Sequence, residues 1–109
     1  MSRPPTHDVF RAIADPTRRG LLEGLARGEV AMGELAAEFA LTLGAVSQHL
    51  KVLRDVGLVT EQRDGRRRVY RIAPEPLREV VDWVQHFEHF WNKKLDALGR
   101  HLDERKAKK

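Results

Sequence analysis

The chain of 109 residues has the length of a single domain, and with 41% hydrophobic and 33% charged residues it is expected to fold around a modest core beneath a strongly charged surface. Its net charge of +4, from 20 basic and 16 acidic residues, is compatible with a nucleic acid or another anionic partner. The absence of cysteine excludes disulfides, zinc-thiolate sites and cysteine nucleophiles, and the absence of a bilayer-length apolar stretch or a signal sequence predicts a cytoplasmic protein with no membrane partner.

The N-terminal half of the chain has the pattern of successive short helices. Residues 1–7 are expected to form a disordered lead-in, and a first helix is predicted at about 8–14. Asp15 can cap a second helix. Pro16 suits the first turn of that helix, where its missing N–H leaves no hydrogen bond unmade. Gly28 is expected to end this second helix.

A third and a fourth helix follow, with a short turn between them. The third is predicted at about 32–39, and the fourth runs to about Val56 from Thr42, which can cap it. Apolar residues on the fourth helix recur at i, i+4 and i+7, and they are Val46, Leu50 and Leu53. Because these positions form one narrow stripe that faces a core, the opposite side of the helix is expected to face solvent.

A two-stranded hairpin is predicted after the fourth helix. Residues 59–63 and 66–72 have an extended pattern, and the pair Asp64-Gly65 between them is typical of a type I′ turn, in which both central residues have positive φ. From Arg63 to Arg71 the chain carries five arginines against one aspartate, a net charge of +4. Taken alone, such a hairpin is as typical of a solvated strand edge as of a DNA contact. If the fourth helix binds DNA, however, the arginines of the hairpin favour contact with a minor groove or with phosphates.

A long terminal helix is predicted at about 75–105, before a frayed basic tail at 107–109. At 1.5 Å per residue it would extend roughly 45 Å, which is longer than a domain of this size is wide. One copy cannot cover the apolar stripe along this helix, so we expect a homodimer. The residues expected in the dimer interface are Leu77, Val81, Val84, Phe87, Trp91, Leu95 and Leu98.

These elements together predict a winged helix-turn-helix domain at residues 8–106, mainly α with a small β-hairpin, in the order α-α-α-α-β-β-α. In this fold the second helix of the pair lies in the major groove, where Gln48 can bond an adenine edge and the small Gly44 and Ala45 permit close approach. His49 flanks this surface, where it either bonds a phosphate or completes the packing. The residues predicted to bind double-stranded DNA are Thr42, Gly44, Ala45, Ser47, Gln48, His49, Lys51, Arg63, Arg66, Arg67 and Arg68.

Motifs in a fixed order carry a resemblance to a known family. They read AIADPTRR from Ala12, ELA from Glu34, VSQHLKVLR from Val46, GLV from Gly57, and RDGR from Arg63 with Tyr70 after it. Over residues 8–103 the chain resembles the ArsR family of winged-helix repressors. The resemblance implies a homodimer that pairs through its terminal and first helices, binds inverted-repeat operators and represses genes beside its own.

The metal sites of many such relatives are not reproduced here. The resemblance places the thiolate pair of the metalloid sensors at Ala31 and Gly33, which excludes that route of sensing. In the site on the terminal helix only the second half is matched, because Phe90 stands where the first half needs a histidine. A metal-responsive repressor that uses other terminal-helix histidines stays open as an alternative; otherwise we expect no cofactor, and no effector is indicated. The candidate metal ligands are His86, His89, His101 and Glu104.

Other classes of function find less support in the sequence. No Ser-His-Asp motif, phosphate-binding glycine loop or pair of carboxylates in an identifiable cleft indicates an enzyme, so none is expected. A winged-helix module that binds protein without sequence-specific DNA binding is the second alternative. The arginine-rich hairpin and the polar reading helix favour DNA, and a steep dependence of binding on salt concentration would distinguish the two.

Overall fold

Helices and a small sheet alternate along the part of the chain that the structure describes, which in this computed structural model is residues 7–90 and Asn92. In chain order the elements are α1 (His7–Ile13), α2 (Pro16–Ala26), β1 (Val30–Ala31), α3 (Met32–Glu38), α4 (Leu43–Asp55), β2 (Val59–Asp64), β3 (Arg67–Ile72), a 3₁₀ helix (Glu75–Leu77) and α5 (Arg78–Gln85). Of the predicted lead-in only His7 is among the described residues, and it begins α1; the predicted tail lies outside them.

The helices begin at the capping residues that the sequence indicates. Asp15 caps α2, and its carboxylate accepts the backbone N–H of Arg18 at 2.9 Å. Thr42 caps α4, where its Oγ1 accepts the N–H of Ala45 at 3.0 Å. The hydrogen bond from Arg18 lowers the pKa of Asp15 below its usual range. The stabilisation by this charged cap is therefore present above the ordinary aspartate pKa and is lost as the pH falls through the lowered one.

The core lies between α2, α3, α4 and the sheet. The stripe predicted on α4 is fully buried, with Val46 and Leu53 at 0% exposure and Leu50 at 2%. The other large side chains buried most completely with it are Leu21, Leu25, Leu35, Leu58 and Val59. Because one side of α4 is fixed in this core, its opposite side is held toward solvent.

The helices α2 and α3 approach each other closely at two glycines. The ring of Phe39, directly after α3, lies against Gly20 and Gly24, which are one turn apart on α2. A Cβ atom at Gly20 would lie 3.2 Å from Cε1 of Phe39. A larger residue there would push the ring away, so the glycine sets how closely the helix-turn-helix unit packs on α2.

The sheet has three strands, one more than the predicted hairpin. The strand order is β1-β3-β2 and both pairings are antiparallel. In the added pairing Val30 lies opposite Tyr70, and Ala31 lies opposite Val69. A strand of two residues is too short to show a periodic pattern, but here it attaches the hairpin to the start of α3.

The predicted turn of the hairpin is wrong by one residue. Asp64 belongs to β2 and pairs with Arg67, so Gly65 and Arg66 are the central residues of the turn. Of these two only Gly65 has a positive φ, of 66°, which is the pattern of a type II′ turn rather than type I′. The shift places Arg66 at the tip of the wing, the name used below for residues 59–72.

The terminal helix is not the continuous α-helix predicted at 75–105. A 3₁₀ helix occupies Glu75–Leu77, α5 ends at Gln85, and residues 88–90 are helical again after a turn. The remainder of the predicted helix, apart from Asn92, lies outside the described residues.

The end of α5 coincides with a hydrogen bond from the side chain of His86 to the backbone. Its Nδ1 lies 2.9 Å from the carbonyl oxygen of Asp82 and donates to it, because a carbonyl can only accept. That carbonyl is the one to which the N–H of His86 would donate in an α-helix. The N–H instead donates to the carbonyl of Trp83 at 3.1 Å, which tightens the chain toward a 3₁₀ turn.

The C-terminal ends of α3 and α4 share one hydrogen-bond pattern, but they differ in the residue that has the left-handed backbone conformation. After α3 the N–H of Leu41 donates to a carbonyl five residues back at 2.9 Å, and Ala40 has a φ of 54°. After α4 the N–H of Leu58 does the same at 2.9 Å, and Gly57 has a φ of 83°. Both are Schellman motifs, in which glycine avoids the steric strain that a Cβ atom causes at positive φ.

Exchanging glycine and alanine at these two positions should change stability in opposite directions. Ala40→Gly relieves about 1–2 kcal/mol of strain and gives the unfolded chain about 0.4–1 kcal/mol of added freedom, so the free energy of unfolding should rise by up to about 1.6 kcal/mol. Gly57→Ala should lower it by a similar amount, because alanine at this positive φ is strained by about 1–2 kcal/mol and the reduced freedom of the unfolded chain offsets only about 0.4–1 kcal/mol of that strain. Urea unfolding at a single protein concentration measures both variants, and shifts in the same direction would contradict the strain at Ala40.

Candidate nucleic-acid interface

The solvent side of α4 presents the side chains predicted to meet DNA. Gly44, Ser47, Gln48 and Lys51 are exposed, and Ala45 is half-buried. These positions lie opposite the buried stripe, so the core itself determines that they point outward. The term reading face is used below for Thr42, Gly44, Ala45, Ser47, Gln48 and Lys51.

Ser47 and Gln48 are the uncharged polar groups at the centre of the reading face. Within the described part of the chain, neither side chain has a hydrogen-bond partner. The amide of Gln48 therefore keeps its carbonyl oxygen and its NH₂ group for a base edge, and the hydroxyl of Ser47 keeps its donor for a base or a phosphate. The small Gly44 and the half-buried Ala45 leave room for close approach.

Lys51 lies at the far end of the reading face in an ion pair within α4. Its Nζ is 3.1 Å from Oδ2 of Asp55, and each side chain is 59% exposed. An exposed pair of this kind contributes only about 0.3–0.5 kcal/mol. A phosphate can therefore replace the aspartate as the partner of Lys51 at little cost.

His49 lies half-buried at the edge of the reading face, against Arg18. Its Nδ1 is 3.4 Å from Nη1 of Arg18, and Nε of the same arginine donates to the carbonyl of Ala12 at 2.6 Å. Arg18, on α2, thus connects the last turn of α1 with His49 of α4, which lies 31 positions after Arg18 in the sequence. Contact of His49 with DNA stays a prediction.

Glu61 joins the wing to the end of α4. Its carboxylate forms ion pairs with Arg54, at the last turn of α4, and with Arg68, whose Nε lies 3.5 Å from Oε2. The Glu61 side chain is only 19% exposed, so these pairs are shielded from water more than most surface ion pairs. The pair with Arg54 connects the wing to the helix that carries the reading face, and the pair with Arg68 joins the two strands of the wing; the sequence pattern indicated neither role.

The four predicted wing arginines are all exposed, but they differ in their partners. Arg68 is paired as described above, and Nη2 of Arg67 lies 3.5 Å from Oε1 of Glu34. Arg63 and Arg66 have no ion pair to any residue that the structure describes. Their guanidinium groups can therefore bind phosphates without first leaving another partner.

A cleft of about 530 Å³ lies between the start of α3 and the tip of the wing, beside the first residue of α4. Residues 31–34 line one side, residues 66–68 line the other, and Leu43 completes the lining. Leu43 is the first residue of α4 and is 56% exposed, yet sequence analysis did not include it in the site. Leu43 stands one residue after the helix cap and three before the buried stripe, and this position could have indicated from the sequence that it is exposed at the start of the reading helix.

A second surface, on α1 and the end of α5, is apolar. The ring of Trp83 makes edge contacts with Phe10, at 5.6 Å between centroids, and with Phe87, at 5.4 Å. The exposed fractions are 48% for Val81, 54% for Trp83, 42% for Phe87 and 76% for Phe90. These five residues are called the terminal apolar face below. Val81 stands two positions before Trp83 and so on a different side of α5, but the exposure of Val81, Trp83, Phe87 and Phe90 is typical of apolar residues that another protein covers.

The predicted dimer residues are distributed unevenly over this region. Val81 and Phe87 belong to the terminal apolar face, whereas Leu77 and Val84 are half-buried. Leu77 packs against the core of its own chain. The other predicted residues, Trp91, Leu95 and Leu98, lie outside the described residues.

Of the four candidate metal ligands, the structure describes His86 and His89, and they do not belong to a metal-binding cluster within the described residues. No group of three or more His, Asp or Glu side chains in that part of the chain could hold a metal ion, and Nδ1 of His86 is already bonded to a carbonyl. His89 is exposed, while His101 and Glu104 lie outside the described residues. In the same part of the chain, the helices are too short and too polar for any to cross a membrane.

Comparison with known sequences identifies the helix-turn-helix region. A family described as "Helix-turn-helix domain" matches residues 13–62, which extend from α1 to the middle of β2 and include the whole reading face. The chain is also 39% identical over 95 residues to the HTH-type transcriptional regulator Rv2034 of Mycobacterium tuberculosis, a match that covers 87% of this chain and 86% of the relative.

Solved structures have the same architecture. An ArsR family transcriptional regulator, RHA00566, superposes with a TM-score of 0.72 at 34% identity, over 84% of this chain and 95% of that one. The homodimeric winged helix-turn-helix DNA-binding domain Mb0332 of Mycobacterium bovis, described as a possible ArsR-family regulator, has a TM-score of 0.63 at 35% identity over 76% of this chain and 79% of its own.

Proposed function

The chain belongs to the ArsR family of winged helix-turn-helix transcriptional regulators, and we propose that it binds an inverted-repeat operator in double-stranded DNA as a homodimer and represses transcription there. The observation that carries this proposal is the reading face, where the central Ser47 and Gln48 have no hydrogen-bond partner among the described residues and the other side of the helix is buried. Membership in a family of DNA-binding regulators supports DNA binding as the role of these residues.

Base recognition falls to the centre of the reading face. The Gln48 amide can form a bidentate pair with the N6 and N7 atoms of an adenine in the major groove. Ser47 and Lys51 can bond phosphates or base edges beside it, and the N-terminus of α4 with the hydroxyl of Thr42 offers donors to a phosphate. Contacts to phosphate position the helix, and the contact of Gln48 with a base specifies the sequence.

The wing supports the same proposal from the side of the reading face. Arg63 and Arg66, which lack ion pairs to described residues, would bind phosphates or the minor groove, and Arg67 and Arg68 would approach the same strand. Since Glu61 connects the wing to Arg54 of α4, the wing and the reading face are positioned as one unit. This arrangement lowers the conformational entropy lost on binding.

Pairing of two copies would explain the terminal apolar face. Its tryptophan and phenylalanines are exposed in one chain, and large aromatic side chains contribute much of the buried area of an interface. A two-fold dimer sets two reading faces against half-sites about one helical turn apart, 10–10.5 bp. A dimer bound in this way covers promoter DNA that RNA polymerase needs, which accounts for repression.

The Gln48→Ala variant tests this function directly. The wild-type chain is first used to select duplexes from a randomised pool, and we expect an enriched sequence with two symmetric halves. Gln48→Ala should then lose on the order of 1–3 kcal/mol per half-site of discrimination between the selected and a scrambled duplex, as expected for a bidentate base contact. Fluorescence anisotropy with both duplexes measures the difference.

A second glutamine provides a matched control. Gln85 is also exposed but ends α5, away from the reading face, so Gln85→Ala should leave the ratio of the two affinities unchanged, since any effect on pairing of the two chains acts on both duplexes. Equal losses on the selected and the scrambled duplex for Gln48→Ala would show that Gln48 reads no base. Failure of the wild-type chain to enrich any duplex would contradict the proposed function itself.

A further inference from the structure

Leu43 is an exposed apolar side chain at the start of α4, beside the arginines at the tip of the wing. Within the described residues, the large hydrophobic side chains that are exposed to a similar degree are Val81, Trp83, Phe87 and Phe90, and all four belong to the terminal apolar face. A second copy bound there would cover them and leave Leu43, on a different helix, uncovered. The core does not need Leu43 either, since the buried stripe of α4 starts at Val46.

The surroundings of Leu43 indicate what could cover it. The cleft beside it has residues 31–34 on one side and the arginines of residues 66–68 on the other. Arg66 has no ion pair within the described chain, while Glu34 accepts the N–H of Ala31 and lies near Arg67. An apolar contact point next to guanidinium groups fits one DNA strand, which presents apolar base and sugar surfaces beside phosphates.

The position of Leu43 at the start of the reading helix indicates which apolar group of the DNA it contacts. The first residues of a reading helix approach base edges in the major groove, and thymine is the base that presents a methyl group there, on C5. We infer that Leu43 packs against the C5-methyl group of a thymine and specifies that base once in each half-site. This inference rests on the proposed function and adds to it a second specificity contact, made by packing rather than hydrogen bonding.

Replacement of thymine by deoxyuridine isolates the methyl group. Deoxyuridine keeps the base pair and its hydrogen-bonding groups and removes only the C5-methyl group. In the duplex selected by the wild-type chain, each thymine is replaced in turn. One symmetric pair of positions should weaken wild-type binding, by about fourfold for one half-site and about 15-fold for both, the value for removing one buried methyl group at each.

Variants assign this loss to Leu43. Leu43→Ala should bind the thymine duplex about as weakly as the wild type binds the deoxyuridine duplex, and it should no longer distinguish the two. Lys51→Ala is the control, because a general loss of affinity at the reading face should leave the deoxyuridine penalty unchanged. Far-UV circular dichroism confirms that each variant is folded, which is expected because Leu43 is exposed and alanine favours helix.

The outcomes separate this inference from the function on which it rests. A selected duplex that tolerates deoxyuridine at every position, or a Leu43→Ala variant that retains the full penalty, would overturn the contact with thymine and leave the DNA-binding function standing. Absence of any selected duplex would overturn both.

Discussion

Replacing Arg63 and Arg66 together by alanine is expected to weaken binding to selected and scrambled duplexes alike, roughly 30- to 1000-fold. Both guanidinium groups are exposed and without ion pairs to described residues, so they contribute to phosphate binding without exchanging partners. A dimer loses four such groups, and about 0.5–1 kcal/mol for each gives about 2–4 kcal/mol in total. The slope of log affinity against log salt should flatten by up to about four, since each phosphate contact contributes about one.

The matched control removes the same charge from arginines that are already paired. Arg27 lies 2.7 Å from Glu38, and Arg71 lies 2.6 Å from Glu29; neither is at the wing tip. Arg27→Ala combined with Arg71→Ala should leave the salt slope nearly unchanged. Titrations by fluorescence anisotropy between about 50 and 200 mM salt, the range over which counterion release is large, compare the two double variants. Equal slopes for both would place the wing tip away from the duplex.

This comparison also separates DNA binding from the alternative of a protein-interaction module. Counterion release from a duplex gives a steep and linear dependence of log affinity on log salt, whereas contacts at the rim of a protein interface change mainly the association rate. A specific loss of slope on removal of Arg63 and Arg66 would therefore identify both the partner and the surface that meets it.

The helices and the reading face were predictable because their signals are local in sequence. A cap such as Asp15 or Thr42 acts on an N–H three residues away, and the stripe of α4 repeats within two turns. Knowing which side of α4 is buried is enough to say which residues face outward, and this prediction needs no other part of the chain.

The contacts that position the site join residues distant in sequence, and no local pattern indicates them. Arg18 meets His49 across 31 positions, and β1 pairs with a strand about 40 residues later. Glu61 is only seven positions from each of its arginines, but its place between them still depends on how the wing folds back on α4. Such pairs follow from the tertiary fold, so a single sequence does not determine them.

Two local predictions failed for reasons within the chain itself. The Asp-Gly pair was assigned to the centre of the turn, but Gly65 alone has the positive φ of a type II′ turn, which leaves Asp64 in the strand. The terminal helix was taken as continuous because its apolar spacing is helical. Spacing does not reveal that the backbone changes to a 3₁₀-type hydrogen bond at His86, where the ring of His86 bonds the carbonyl of Asp82.

Replacing Val81 and Phe90 together by aspartate is expected to convert the dimer to a monomer at micromolar concentration. Both side chains are largely exposed in one chain, at 48% and 76%, so the monomer should keep its fold and its helical circular dichroism. In the dimer each change occurs twice and buries a carboxylate without a partner, which costs about 3–5 kcal/mol at a buried site. Sedimentation equilibrium measures the dissociation, and a variant that stays dimeric would place the interface elsewhere.

Loss of the dimer should in turn reduce affinity for the selected duplex about 100- to 10,000-fold, because binding of the second reading face is no longer intramolecular. The control is Leu43→Asp, which places the same charge on the other exposed apolar position, 56% exposed on α4. This variant should remain dimeric and still bind DNA poorly, because its carboxylate would face the bases and phosphates directly. If both surfaces have the roles assigned to them, charges on the terminal apolar face weaken DNA binding through loss of the partner chain, and a charge at Leu43 weakens it with the dimer intact.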